Sequence, residues 1–118
     1  MWVVSRKMKP LLSQNIAAFT QRFENFKDAD FRSLEILSPT NLKTTFALQD
    51  ASRAFDWITI TLEFNDVFDA ALVANEQIAL VDMTEGITLT FDEGFSFQVN
   101  NATFFIKAKT LKFEEGSF

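Results

Sequence analysis

Apolar residues recur every three to four positions from Pro10 to Phe26, and every second position through much of the remaining chain. In PLLSQNIAAFTQRFENF, Leu12, Ile16, Phe19, Phe23 and Phe26 form one stripe, which predicts an amphipathic helix over 10–26. Pro10 suits the first turn of such a helix, where its missing N–H is not needed. Gln14, Gln21, Arg22 and Asn25 fall on the opposite side. A coiled-coil seam has the same spacing, but two heptads are too few to sustain one. The stripe is therefore assigned to packing on a sheet.

From Lys27 onward the period changes to two. FRSLEIL (31–37) reads as a strand, and SPTN (38–41) as a turn with Pro at its second position. If 51–55 close a hairpin, Leu42, Thr44, Phe46 and Leu48 fall opposite Phe64, Leu62, Ile60 and Ile58 on one face. Lys43, Thr45 and Ala47 then oppose Glu63, Thr61 and Thr59 on the other. VFDAALV (67–73) reads as a further strand. ANEQIALVDMTEG (74–86) fits a helix or a loop, and Gly86 ends it. DEG (92–94) is a hairpin loop with Gly94 in a left-handed conformation, and Asn100-Asn101 is a two-residue type I′ turn. That pairing sets Ile87, Leu89 and Phe91 against Val99, Phe97 and Phe95, and sets Val99, Phe97 and Phe95 against Ala102, Phe104 and Ile106.

The resulting plan is an α+β domain over 1–118: one N-terminal amphipathic helix on a mostly antiparallel sheet of about seven strands spanning 31–113. A partly closed β-barrel with a flanking helix is the alternative, since fifteen phenylalanines could fill an interior. Residues 1–9 read as a flexible N-terminal segment. In MWVVSRKMK the bases follow the apolar residues, the wrong order for a signal peptide. No apolar run approaches the ~20 residues that span a bilayer, so a cytoplasmic protein without membrane contact is expected.

Composition removes many chemistries. The chain has no Cys, His or Tyr, so thiolate and histidine catalysis, and metal ligation through those groups, are excluded. Its net charge of −5 argues against a nucleic-acid partner. Glu63, Asp66 and Asp69 are the densest set of oxygen ligands, but the glycine that an EF-hand loop requires is missing. No cofactor is expected, because the glycines form no phosphate-cradling loop. A pair of carboxylates could serve as acid and base, and Lys107 or Lys109 could form a Schiff base. Neither has a motif to support it, and lysines facing outward on a strand ordinarily guard a sheet edge.

The stretch TFFIKAKTLKF (103–113) breaks its own pattern. Phe105 shares a face with Lys107 and Lys109, and Trp57 shares one with Thr59, Thr61 and Glu63. A β-bulge at Lys109–Thr110 would return Leu111 and Phe113 to the core face, but it would leave Phe105 outside. Phe105, Trp57, Leu111 and Phe113 are therefore the interface or ligand candidates. The function expected is that of a non-catalytic protein–protein interaction module, working as a homodimer or with another protein. A binder of an apolar small ligand between helix and sheet is the alternative, and a carboxylate- or magnesium-dependent enzyme a third.

Overall fold

The computed structural model describes residues 8–99 and 102–118. Its helix is short. A two-residue strand β1 (Lys9–Pro10) is followed by a 3-10 turn (Ser13–Asn15) and then by α1 (Ile16–Arg22). The remaining strands are β2 (Asp30–Ser38), β3 (Asn41–Asp50), β4 (Asp56–Ala71), β5 (Ile87–Phe91), β6 (Phe95–Val99) and β7 (Phe104–Ser117).

All seven strands form one sheet in the order β2-β3-β4-β7-β6-β5, every pairing antiparallel, with β1 laid on β7. The sheet is open, with β2 and β5 at its edges, which rules out the barrel. α1 and the turns flanking it cover one face, in keeping with an α+β domain.

The β3–β4 hairpin has the register expected from its pattern, Leu42 on Phe64 through Leu48 on Ile58. The β5–β6 hairpin also pairs as expected, Ile87 on Val99 through Phe91 on Phe95. Between β6 and β7 the register slips: Val99 pairs with Phe104, not Ala102, and Phe97 with Ile106. A slip of two residues preserves the faces, so Phe104, Ile106 and Ala108 stay buried as expected. The Asn100-Asn101 turn itself lies outside the described residues.

Three local expectations fail for identifiable reasons. Lys9 and Pro10 are strand, pairing with Phe113 and Lys112, so Lys9 does not belong to a flexible segment and Pro10 does not start a helix. Leu11 N–H donates to the Leu111 carbonyl at 2.9 Å, which buries Leu11 and turns Leu12 outward. Second, 67–73 is not a separate strand, because β4 runs unbroken from Asp56 to Ala71. The parity change foreseen at Lys109–Thr110 does occur, with Ala108 and Leu111 both buried. It is matched on β4, where Phe64 pairs with Leu111 and Val67 with Ala108, and where Asp66 has φ 56°. Both strands bend together, so no turn is needed. Third, Gly94 is not the left-handed residue of its hairpin; Glu93 is, with φ 61°.

The far end of the expected helix is equally instructive. Glu24, Asn25 and Phe26 have φ of 53°, 56° and 61°, a single left-handed turn. That conformation costs roughly 1–2 kcal/mol per residue outside glycine. It lets Phe23 and Phe26 both reach the core, their ring centroids 6.2 Å apart, with Phe26 against Phe46 at 5.2 Å. A helix continued through 26 would carry Phe26 another turn along its axis. Burying an aromatic side chain gains roughly 1.5–3 kcal/mol, so two seated rings go far towards offsetting the strain.

Among the described residues, the core face of β3 carries a polar side chain that finds no partner. Thr44 is fully buried, and its Oγ1 has no partner among the described residues. A buried hydroxyl left unpaired costs about 1–3 kcal/mol. Thr44→Val, nearly isosteric, is expected to raise stability by about 1 kcal/mol in urea denaturation.

Candidate functional site

Two parity runs carry charge into the interior at one end of the sheet. Asp50 continues the buried series Leu42, Thr44, Phe46, Leu48, and Glu115 continues Leu111, Phe113. Arg22, the last residue of α1, closes over both. Its Nε and Nη2 donate to the two Asp50 carboxylate oxygens at 2.9 and 2.7 Å. Its Nη1 and Nη2 donate to Glu115 at 3.1 and 3.0 Å. Arg53, on the turn after β3, donates from Nη2 to Glu115 Oε1 at 3.0 Å, and its Nε lies 3.3 Å from Asp50 Oδ2. The Ser52 N–H and hydroxyl donate to Asp50 Oδ1 at 3.0 and 2.8 Å.

The electrostatics follow from these contacts. Asp50 is wholly buried, and the Arg22 guanidinium holds its carboxyl down at about 2 against the opposing effect of burial. The same guanidinium holds Glu115 below the usual carboxylate range. Arg22 is in turn pushed well above its ordinary value, chiefly by its hydrogen bonds to Asp50. Every charge in the cluster has a partner of opposite sign, which is an arrangement for holding α1, the β3–β4 hairpin and the end of β7 together. Bidentate pairs of this kind fix geometry as well as adding energy.

Beside the network opens a shallow cavity of about 490 Å³, walled by Arg53, Asp56, Trp57, Glu115 and Phe118. Trp57 and Phe118 meet at 5.6 Å between centroids with their planes tilted 48°. The Arg32 guanidinium sits 4.7 Å from the centre of the Phe118 ring. Trp57 is 45% exposed and Phe118 64%.

Of the residues singled out from sequence, only Trp57 lies here. Phe105 pairs with Gln98 and Ala71 at the opposite end of the β4–β7 ribbon, so it cannot share a patch with Trp57. It is half buried, with the Lys107 amine 5.8 Å from its ring centre. Leu111 is buried, and Phe113 packs on the core with its ring 5.0 Å from Phe19. Both contribute to the core, Leu111 fully and Phe113 from its edge. Glu63 lies between Lys43 and Lys112 in the ladder and accepts from Asn65 Nδ2 at 3.2 Å, while Asp69 pairs with Lys107 in register. Among the described residues no group of three or more His, Cys, Asp or Glu gathers as a metal site would require. No helix among them is long and apolar enough to cross a membrane.

The ionic network was missed because Arg22 falls on the polar side of a straight 10–26 helix. The signal was present: the alternation that buries Leu48 also buries Asp50, and a buried Asp requires a cation. Comparison with family models, with curated proteins and with solved structures gives no match for this chain. By its architecture the chain is a small α+β domain with an open, seven-stranded antiparallel sheet.

Proposed function

We propose that the protein is a non-catalytic interaction module that works as a homodimer, with the aromatic step at the β3–β4 hairpin as its contact surface. The observation that carries this is the Trp57–Phe118 pair, two large rings packed on each other and left half open to water beside Arg32. Tryptophan and arginine are the residues that most often dominate binding energy at interfaces. A second copy suits the patch because both signs of charge flank it, Arg32 and Arg53 against Asp30 and Asp56. Under a two-fold axis each charge can meet its opposite. The lack of His, Cys and Tyr supports a role outside catalysis.

Trp57→Ser is expected to convert the dimer to a folded monomer in sedimentation equilibrium, since the side chain is exposed enough to be lost without unfolding. Phe105→Ser, at the other end of the ribbon, is expected to leave association unchanged. A wild-type protein that stays monomeric at every concentration tested would remove the homodimer reading. A dimer that survives Trp57→Ser would move the interface elsewhere.

A further inference from the structure

The polar face of the sheet carries a row of charges in register across adjacent strands. Glu35 on β2 pairs with Lys43 on β3, Lys43 with Glu63 on β4, and Glu63 with Lys112 on β7. The signs alternate. The row ends at the β2 edge on one side and at Pro10, which pairs with Lys112, on the other. None of these side chains makes an ion pair among the described residues. Glu35 and Lys112 are exposed, and Lys43 and Glu63 half-buried. Trp57 stands on the same face of β4 as Glu63, about 20 Å away along the strand. Only small side chains separate them, from Thr45, Thr59, Thr61 and Gly116.

Resting on the homodimer reading, we propose that this row is the second half of the dimer contact and sets its register. A second copy packs face to face about a two-fold axis that runs along β3 and β4, midway between them. A row of signs −+−+ is its own complement when reversed, and reversal is what that axis does. Glu35 meets the partner's Lys112 and Lys43 meets the partner's Glu63, each contact occurring twice. Sliding the partner sideways by one strand would set like charges against each other along the row. Sliding it by two would leave half of the row unpaired. Trp57, on a strand adjoining the axis, comes beside the partner's Trp57, so the same axis joins the two aromatic steps. Facing sheets stack about 10 Å apart, a gap that lysine and glutamate bridge and that the small residues leave unobstructed. Charges in such an array select register and partner more than they add affinity.

Opposite charges on neighbouring strands also steady a sheet from within, and mixing two variants separates these roles. The test is sedimentation equilibrium of Lys43→Glu and Glu63→Lys, alone and together. In either variant alone the central contact becomes like-charged twice over, and self-association is expected to weaken about a hundredfold. Mixed, each variant supplies the sign that the other lacks, and a heterodimer of near wild-type affinity is expected. Both variants stay net negative, the charge of −5 moving by two in either direction, so overall charge does not drive the mixing. Lys43→Gln, milder to the sheet should a reversal unfold it, is expected to weaken the dimer about tenfold. Charge variants that dimerise like wild type, while Trp57→Ser does not, would overturn the row and leave the aromatic step standing. Weakened association that mixing fails to rescue would confine the charges to a role within the sheet and overturn it equally. A wild-type chain that is monomeric throughout would remove the dimer reading itself, and this register with it.

Discussion

Arg22→Leu is expected to destabilise the domain by about 3 kcal/mol at neutral pH, measured by urea denaturation. Truncating one partner of a buried ion pair leaves the other charge desolvated, which typically costs about 3–5 kcal/mol. The lower end applies here, because Arg53 still reaches both Asp50 and Glu115. Adding Asp50→Asn to the variant removes the stranded charge, and the double variant is expected to regain more than half of the loss. The introduced amide would keep an oxygen for the Ser52 N–H, so the turn after β3 stays capped. If instead the two substitutions simply add, the pair is not coupled as the geometry requires.

The same network sets the acid limb of stability. The Asp50 carboxyl titrates at about 2 in the folded protein, below its ordinary value of 3.8. A depressed folded value means that the unfolded chain takes up the proton first. The contribution is therefore complete above the ordinary carboxylate range and is lost as pH falls from about 4 to about 2, amounting to roughly 2 kcal/mol. Glu115, lowered by the same guanidinium, acts in the same direction. In Arg22→Leu the cause that lowers Asp50 most is gone and its burial remains, so the acid transition is expected to begin at higher pH. Stability measured across the acid range checks this directly.

Gly86→Ala is expected to cost about 2–4 kcal/mol, from two independent causes. Gly86 has φ 73°, a conformation that costs an alanine about 1 kcal/mol or more. An added Cβ would also lie 2.0 Å from the Asn25 carbonyl oxygen, with the Lys27 nitrogen at 3.0 Å. Those obstacles are backbone, so relief requires moving the left-handed turn that seats Phe26, and overpacking of this kind typically costs about 1–3 kcal/mol more. Gly94→Ala is the control. Its Cβ would meet mainly the Phe68 ring at 3.1 Å, a half-exposed side chain that can swing aside, so a loss below about 1 kcal/mol is expected. Equal losses at the two glycines would show that the turn yields and that its close approach to Gly86 is not what seats it.

How much of this was legible in the sequence depends on the range of the forces involved. Lys43 opposite Glu63 and Leu89 opposite Phe97 could be read because a tight hairpin couples alternation on one strand to alternation on the next. A register slip of one residue would reverse a whole face there. The slip between β6 and β7 escaped because it is even, and an even slip leaves every face as it was. β4 was divided in two because Asn65-Asp66 is ordinary turn chemistry, whereas pairing with β7 on both sides of the bend carries the strand straight through.

The candidate sites divide in the same way. By itself the sequence determined which faces are apolar, that Phe105 and Trp57 stand on polar ones, and that histidine and cysteine chemistry is absent, since all of these depend on residue type and parity. The fold in three dimensions is what packs Trp57 against Phe118 and sets Phe105 at the far end of the ribbon. It also decided that helix 10–26 contracts to Ile16–Arg22, so that Arg22 can close over Asp50 and Glu115. Those outcomes join residues 28 and 93 positions apart in the chain. A local pattern says whether a side chain points inward, but which charge meets it there is set by how distant strands and the helix are brought together.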